Sequence, residues 1–220
     1  MPSVKIPKKS TSTDMTPFVD VAFLILTFFI MATKFKAPDP VTITTPNSVS
    51  SAILPENNAV LITMDKDNHV YFSVLSEKDP SKYDDIIKEI STGRSLNLSQ
   101  AEINNYKKTY AVGVPFTQLK GLLDQPQEVQ TKLKQPGIPV LDSANNELVW
   151  WIGAAKKAFA GSTLQYLIKG DNKALYPTFD AVISALKRNE QFKYNLVTAP
   201  EDAPSGTALY DERRGIKKTK

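Results

Sequence analysis

Apolar residues are spread unevenly along this chain, and their spacing changes character three times. Residues 1–15 are rich in Ser, Thr, Lys and Pro without an apolar face, which predicts a flexible arm. Thr16-Pro-Phe-Val-Asp-Val-Ala-Phe-Leu-Ile-Leu-Thr-Phe-Phe-Ile-Met-Ala-Thr33 then runs almost unbroken in apolar residues. Taken over 16–35 the stretch is about 20 residues, and at about 1.5 Å of rise each it just spans a hydrocarbon core of about 30 Å. It predicts a single N-terminal transmembrane helix, with Thr16 as cap and Pro17 at the first helical position. The apolar run ends Met31-Ala32-Thr33-Lys34 without the small-x-small site of a cleaved signal peptide. Residues 36–58 read as an extended linker, stiffened at Ala37-Pro-Asp-Pro40 and carrying a short strand, Val41-Thr-Ile-Thr-Thr45.

From Ala59 the pattern becomes that of a folded domain, 59–198. Ala59–Met64 and His69–Val74 are β-rich runs around Asp65-Lys-Asp-Asn68 and predict a hairpin. In 75–143 helical segments at Ser81–Thr92 and Ser99–Lys108 are interleaved with prolines, and Ser99 with Glu102 has the spacing of a capping box. This predicts a helical insertion on a smaller core. Asn146–Ala160 reads as a helix ended by Gly161, with Trp150 and Trp151 as packing residues; Thr163–Ile168 reads as a strand, Pro177–Arg188 as a helix and Phe192–Val197 as the last strand. The expected architecture is one membrane helix plus a two-layer α+β domain of order β-β-[helical insertion]-α-β-α-β, followed by a flexible tail, 199–220.

Composition narrows the classes. With 27 Lys and Arg against 23 Asp and Glu the net charge is only +4, and basic residues cluster only in the tail (Arg213, Arg214, Lys217, Lys218, Lys220), so nucleic acid is not an expected partner. Cysteine is absent, which excludes disulfides and thiolate metal sites. The single histidine, His69, sits beside a turn, and no phosphate-binding glycine loop is present, so an enzyme constellation lacks its usual base. Asp65, Asp67 and His69 have part of a calcium-loop spacing, but Val70 stands where that loop needs glycine and Ser76 where it needs glutamate. Neither cofactor nor metal is expected.

The chemistry concentrates at Asp20. An ionised Asp at the centre of a bilayer-spanning helix costs about 2.5–3.5 kcal/mol on insertion scales, and acids that persist there face protein or water and mark ion pathways. Near the helix start the dipole also favours an acid, so a first-turn position would explain Asp20 without function. Helical spacing places Thr16 and Thr27 on its face, one turn before and two turns after, where hydroxyls can hold water or instead bond their own helix. Lys34, near that face at the far end, fits a snorkelling role, and Asp14 lies outside the span. Lys5, Lys8 and Lys9 before the run and Lys34 and Lys36 after it bias the N-terminus only slightly toward the cytoplasm.

Asp14-Met-Thr-Pro-Phe-Val-Asp-Val-Ala-Phe-Leu-Ile-Leu-Thr-Phe-Phe-Ile-Met31 resembles the membrane segment of the ExbD/TolR biopolymer-transport family. Leu167-Ile-Lys-Gly-Asp-Asn-Lys-Ala-Leu-Tyr-Pro-Thr-Phe-Asp-Ala-Val-Ile-Ser-Ala-Leu186 and Phe192-Lys-Tyr-Asn-Leu-Val-Thr198 are similar to its last strand, helix and strand. Gly137-Ile-Pro-Val140, Asp142-Ser143 and Asn145-Asn-Glu-Leu148 resemble long, Bacteroidetes-type ExbD variants. The resemblance implies a single-pass inner-membrane protein with a cytoplasmic N-terminus and a periplasmic domain. It further implies that two such helices stand inside a pentamer of ExbB-like multi-span channel subunits. The intramembrane acid, matched here by Asp20, would carry protons there, and work would pass to a TonB-like transducer that opens outer-membrane receptors. Two alternatives stay open at this level: a TolR-like role in envelope maintenance, and a stator that grips peptidoglycan, whose signature Asn97-Leu-Ser-Gln-Ala101 partly echoes.

Overall fold

A computed structural model describes residues 15–32, 41–49, 54–55, 57–203, 205 and 210. The chain divides into two units, Met1–Pro38 and Asp39–Lys220. The first contains helix α1, Thr16–Ala32. The Val19 N–H already donates to the Met15 carbonyl at 3.0 Å, so Thr16 is the first helical residue and not the cap. Pro17 lies in the first turn, where its missing N–H leaves no helix bond unmade. At 17 residues α1 is about 25 Å long. No helix among the described residues is long and apolar enough to cross a membrane. The residues that completed the expected span, Thr33 to Phe35, lie outside the described residues, as does the expected arm up to Asp14.

The second unit is a mixed α/β domain. Its strands are β1 (Asn47–Ser48), β2 (Asn57–Met64), β3 (Val70–Ser76), β4 (Gln165–Gly170), β5 (Asn195–Val197) and β6 (Ala199–Pro200). Its helices are α2 (Ser81–Gly93), α3 (Gln100–Tyr106), α4 (Phe116–Leu123), α5 (Gln127–Gln130), α6 (Leu148–Ala158) and α7 (Tyr176–Arg188). The main sheet has the order β3-β2-β4-β5: β2 and β3 form the expected antiparallel hairpin, while β4 and β5 join in parallel. In the centre, β2 is paired along its length on both sides, Ala59 to Met64 against Gln165 to Gly170 and also against Leu75 to Val70. A separate parallel pair joins β1 to β6.

Strand alternation sends Val60, Ile62, Met64, Val70, Phe72, Val74, Tyr166 and Ile168 to one face, where they share a core with the helices. The helices meet that face with residues three and four apart: Ile86, Ile87 and Ile90 of α2, Leu148, Trp151, Ile152 and Ala155 of α6, and Val182, Ile183 and Leu186 of α7. Trp151 lies at the centre, fully buried, with the rings of Phe72, Phe116 and Tyr106 at centroid distances of 5.2, 5.8 and 6.0 Å. Trp150, 46% exposed, turns outward, with the Arg94 guanidinium 5.3 Å from its ring centroid.

The region expected as an insertion on a smaller core is part of the core itself. Its α2, together with Val112, Leu119, Leu123 and Ile138, packs into the same cluster as the sheet. It also closes the outer side of β3. The Val70 carbonyl accepts the Ile138 N–H at 2.8 Å, Phe72 exchanges both backbone bonds with Val112 at 2.7 and 2.9 Å, and the Val74 carbonyl accepts the Tyr83 hydroxyl at 3.0 Å. Two glycines make this approach possible. A Cβ at Gly113 would stand 2.2 Å from Cδ1 of buried Tyr71, and Gly137 has φ +90° with His69 Cα 2.9 Å from where a Cβ would lie.

Other differences have local causes. Pro115 and Pro126, two of the prolines in 75–143, lead directly into α4 and α5, because a proline ahead of the first turn interrupts no helix bond. Val41 to Thr45 forms no regular strand; β1 follows two residues later. Ala199 and Pro200, expected to begin a tail, form β6, and Ala203 is buried. Beyond Ala203 that tail is described only at Ser205 and Tyr210. The capping box at Ser99 and Glu102 has both of its bonds.

Two substitutions test this packing in the full-length protein. Trp151→Ala should lower unfolding stability by about 3–5 kcal/mol. Gly113→Ala should lower it by about 1–3 kcal/mol, since Tyr71 is held by its hydroxyl bonds and has little room to yield. Denaturant midpoints at unchanged slope measure both; a wild-type midpoint for either variant contradicts the packing.

Candidate functional site

In the first unit, Asp20 is the only charged residue of α1, whose other members are Thr, Pro and apolar residues. No acid occupies the first turn. Asp20 is the fifth helical residue, beyond the four N-terminal N–H groups that lack helix partners, so the dipole does not account for it as a first-turn residue would. Among the described residues its carboxylate has no hydrogen-bond or ion-pair partner, and its side chain is exposed. At 100° per residue Thr16 lies about 40° and Thr27 about 20° from it around the helix. The Thr27 hydroxyl donates to the Leu24 carbonyl at 2.9 Å, the own-helix bond common for Thr, and its oxygen keeps acceptor capacity. Around this stripe the large side chains are open, among them Phe18, Phe23, Leu24 and Phe28 at 61–70% exposure. A contiguous apolar surface of this kind marks a membrane or partner contact. Lys34 and Asp14 lie outside the described residues.

In the second unit, Asp65, Asp67 and His69 bring ligand-type atoms within 4.8 Å of one another. The geometry explains them as a turn. Asp65 Oδ1 accepts the N–H groups of Asp67 and His69 at 2.9 and 2.8 Å; its Oδ2 faces His69 Nδ1 at 3.0 Å and accepts the Tyr71 hydroxyl at 3.2 Å. Both oxygens of this buried carboxylate are thereby engaged, whereas Asp67 is exposed. Burial, and then the Asp65 charge beside it, pushes the Tyr71 phenol up. A cleft of about 260 Å³ adjoins the turn, lined in part by Val41, Lys66, Asp67, Tyr71 and Lys134.

A third feature escaped the sequence pattern. Asp171, just past β4, accepts the N–H of Lys173 on Oδ1 and that of Thr44 on Oδ2, each at 2.9 Å. The first of these bonds, then the second, hold its carboxyl below the usual carboxylate range. With the folded value below the unfolded one, this tie is complete at neutral pH and is lost only as pH falls through the lowered value. Gly170-Asp-Asn172 after a strand announces a turn, but the long-range partner at Thr44 has no local signature.

If Asp65 organises a turn, Asp65→Ala should destabilise by about 1–3 kcal/mol by stranding buried donors, with Asp67→Ala near neutral; equal losses measured in the two variants would favour a shared ligand instead. A family model described as "Biopolymer transport protein ExbD/TolR" matches residues 7–201, most of the 220-residue chain and including 75–143. No curated protein and no solved structure gives a significant match. The chain belongs to the ExbD/TolR family of biopolymer transport proteins.

Proposed function

We propose that this protein is the ExbD-type subunit of an inner-membrane motor driven by the proton motive force, and that Asp20 carries the protons. The position of Asp20 supports this most directly: a lone carboxylate in the second turn of an otherwise uncharged, solvent-open apolar helix, in a family of transport subunits rather than enzymes. The apolar run 16–35 has the length in sequence to cross the inner membrane once, with the N-terminus in the cytoplasm and the domain in the periplasm. Its apolar surface fits a bundle of ExbB-like multi-span channel subunits together with the helix of a second copy of this chain.

An acid in a low-dielectric passage favours its neutral form unless a charge or donor compensates it. Protonation therefore lets the Asp20 face lie against an apolar wall, and deprotonation returns it to a wet one. Alternation between the two turns proton flow into rotation or sliding of one helix set against the other. One charge moved through the full potential supplies about 2.3 kcal/mol per 100 mV, so several protons are coupled to each working step. The work leaves through the domain to a TonB-like transducer that serves outer-membrane uptake. Thr16 and Thr27 hold water or a donor on the proton's route.

Asp20→Asn should reduce energy-dependent uptake to background while the variant still copurifies with its multi-span channel subunit; uptake at the normal rate would refute the carrier role. Thr27→Val should slow proton flow roughly twofold to tenfold, the worth of one hydrogen bond of about 0.5–1.5 kcal/mol. An unchanged flux in vesicles removes Thr27 from the route.

A further inference from the structure

The covalent link from α1 to the main sheet runs through residues 33–56, and part of it is fastened to the domain by a short series of bonds. Thr44 donates its N–H to Asp171 Oδ2 and accepts the Asn172 N–H on its carbonyl, both at 2.9 Å. Two residues on, the Pro46 carbonyl accepts the Ala199 N–H at 2.9 Å; β1 then pairs with β6, and the Ser48 carbonyl accepts the Glu201 N–H at 2.9 Å. Val41, Ile43 and Thr45 are half-buried while Thr42 and Thr44 are exposed, the alternation of an extended segment lying on a surface. None of residues 41–49 is fully buried. The segment is held by backbone bonds on partly exposed ground, the condition of the least stable parts of a fold. By contrast β2, which follows it, is paired on both sides and carries fully buried Val60 and Ile62.

We propose that Val41–Ser48 is a releasable tether, with Asp171 as its first fastening point and β6 as its second, and that it undocks when α1 and the domain are drawn apart. The source of that pull rests on the motor reading above. Chain order fixes the sequence of events. Tension arriving from the α1 side meets the Thr44 bonds to Asp171 and Asn172 first, then the Pro46 bond, then β1. The domain itself stays folded, because the load reaches β2 last. The eight residues Val41–Ser48 have a contour length on the order of 25 Å at about 3.3–3.6 Å per residue, which bounds the reach that their undocking adds. Asp171 acts here as a positioning residue.

The chain has no cysteine, so Asn47→Cys with Ala199→Cys, register partners across β1 and β6, gives a lock that oxidation closes and reduction opens. In cells carrying the full chain and its motor partners, the oxidised lock should lower energised uptake at least tenfold and reduction should restore it. Amide exchange of residues 41–48 in the full-length protein should quicken at least tenfold in Asp171→Ala and in Thr44→Pro, which removes the donor from the tether side alone, with β2 unchanged. Full uptake with the lock oxidised, failure of the pair to oxidise, or unaltered exchange in both variants would each overturn the tether. Uptake lost in Asp20→Asn but intact in the oxidised lock overturns the tether and leaves the motor reading standing; uptake that survives Asp20→Asn overturns the motor reading itself.

Discussion

Packing of Trp151 against Phe72 joins the two halves of the domain. Phe72 comes from the outer strand of the hairpin and Trp151 from a helix that follows almost eighty residues later, and their ring centroids are 5.2 Å apart. Phe116 and Tyr106, from the intervening region, complete the group. Aromatic rings bury large areas with directional preferences, so the cluster sets orientation as well as adhesion. It is also why the intervening helices cannot be a detachable ornament: removing them would strip two sides from the central side chain and uncover the outer strand of the hairpin.

Much of this was legible in the amino-acid pattern, and the exceptions share a cause. β-rich runs around turn formers marked the hairpin and a further run marked β4, helical patterns marked α2, α6 and α7, and the Ser99–Glu102 spacing marked a cap that is present in both its bonds. These signals are local. What escaped was non-local: the pairing of Ala199 with the linker, the dependence of Thr44 on Asp171, and the docking of Val112 and Ile138 on β3. Backbone bonds between distant segments leave no periodicity behind, and a segment such as Val41–Thr45 has strand-like composition whether or not it pairs. At the site, Asp20 stood out because an acid in an apolar helix is anomalous by itself. Its place in the second turn, which separates it from a dipole-stabilised acid, required the helix start to be seen at Thr16.

The proposed functions of the two units meet on an energy scale. A single net hydrogen bond contributes about 0.5–1.5 kcal/mol, and one proton through the full potential about 2.3 kcal/mol per 100 mV. A handful of bonds along the linker is thus matched to a few protons. Loss of one large core side chain already costs about 3–5 kcal/mol, so the enclosed core stands well outside that range as a whole. Graded stability of this kind lets force act on a connection without destroying what it connects.

On the outer side of β3 the carbonyls of Val70 and Val74 and both backbone groups of Phe72 are engaged by Ile138, Tyr83 and Val112, so that border of the main sheet is largely occupied by other segments of the same chain. A sheet with two open borders can propagate laterally without limit, as in fibrils. A border whose main-chain groups are taken by other segments of the same chain offers little to an incoming strand, so on the β3 side such growth is blocked.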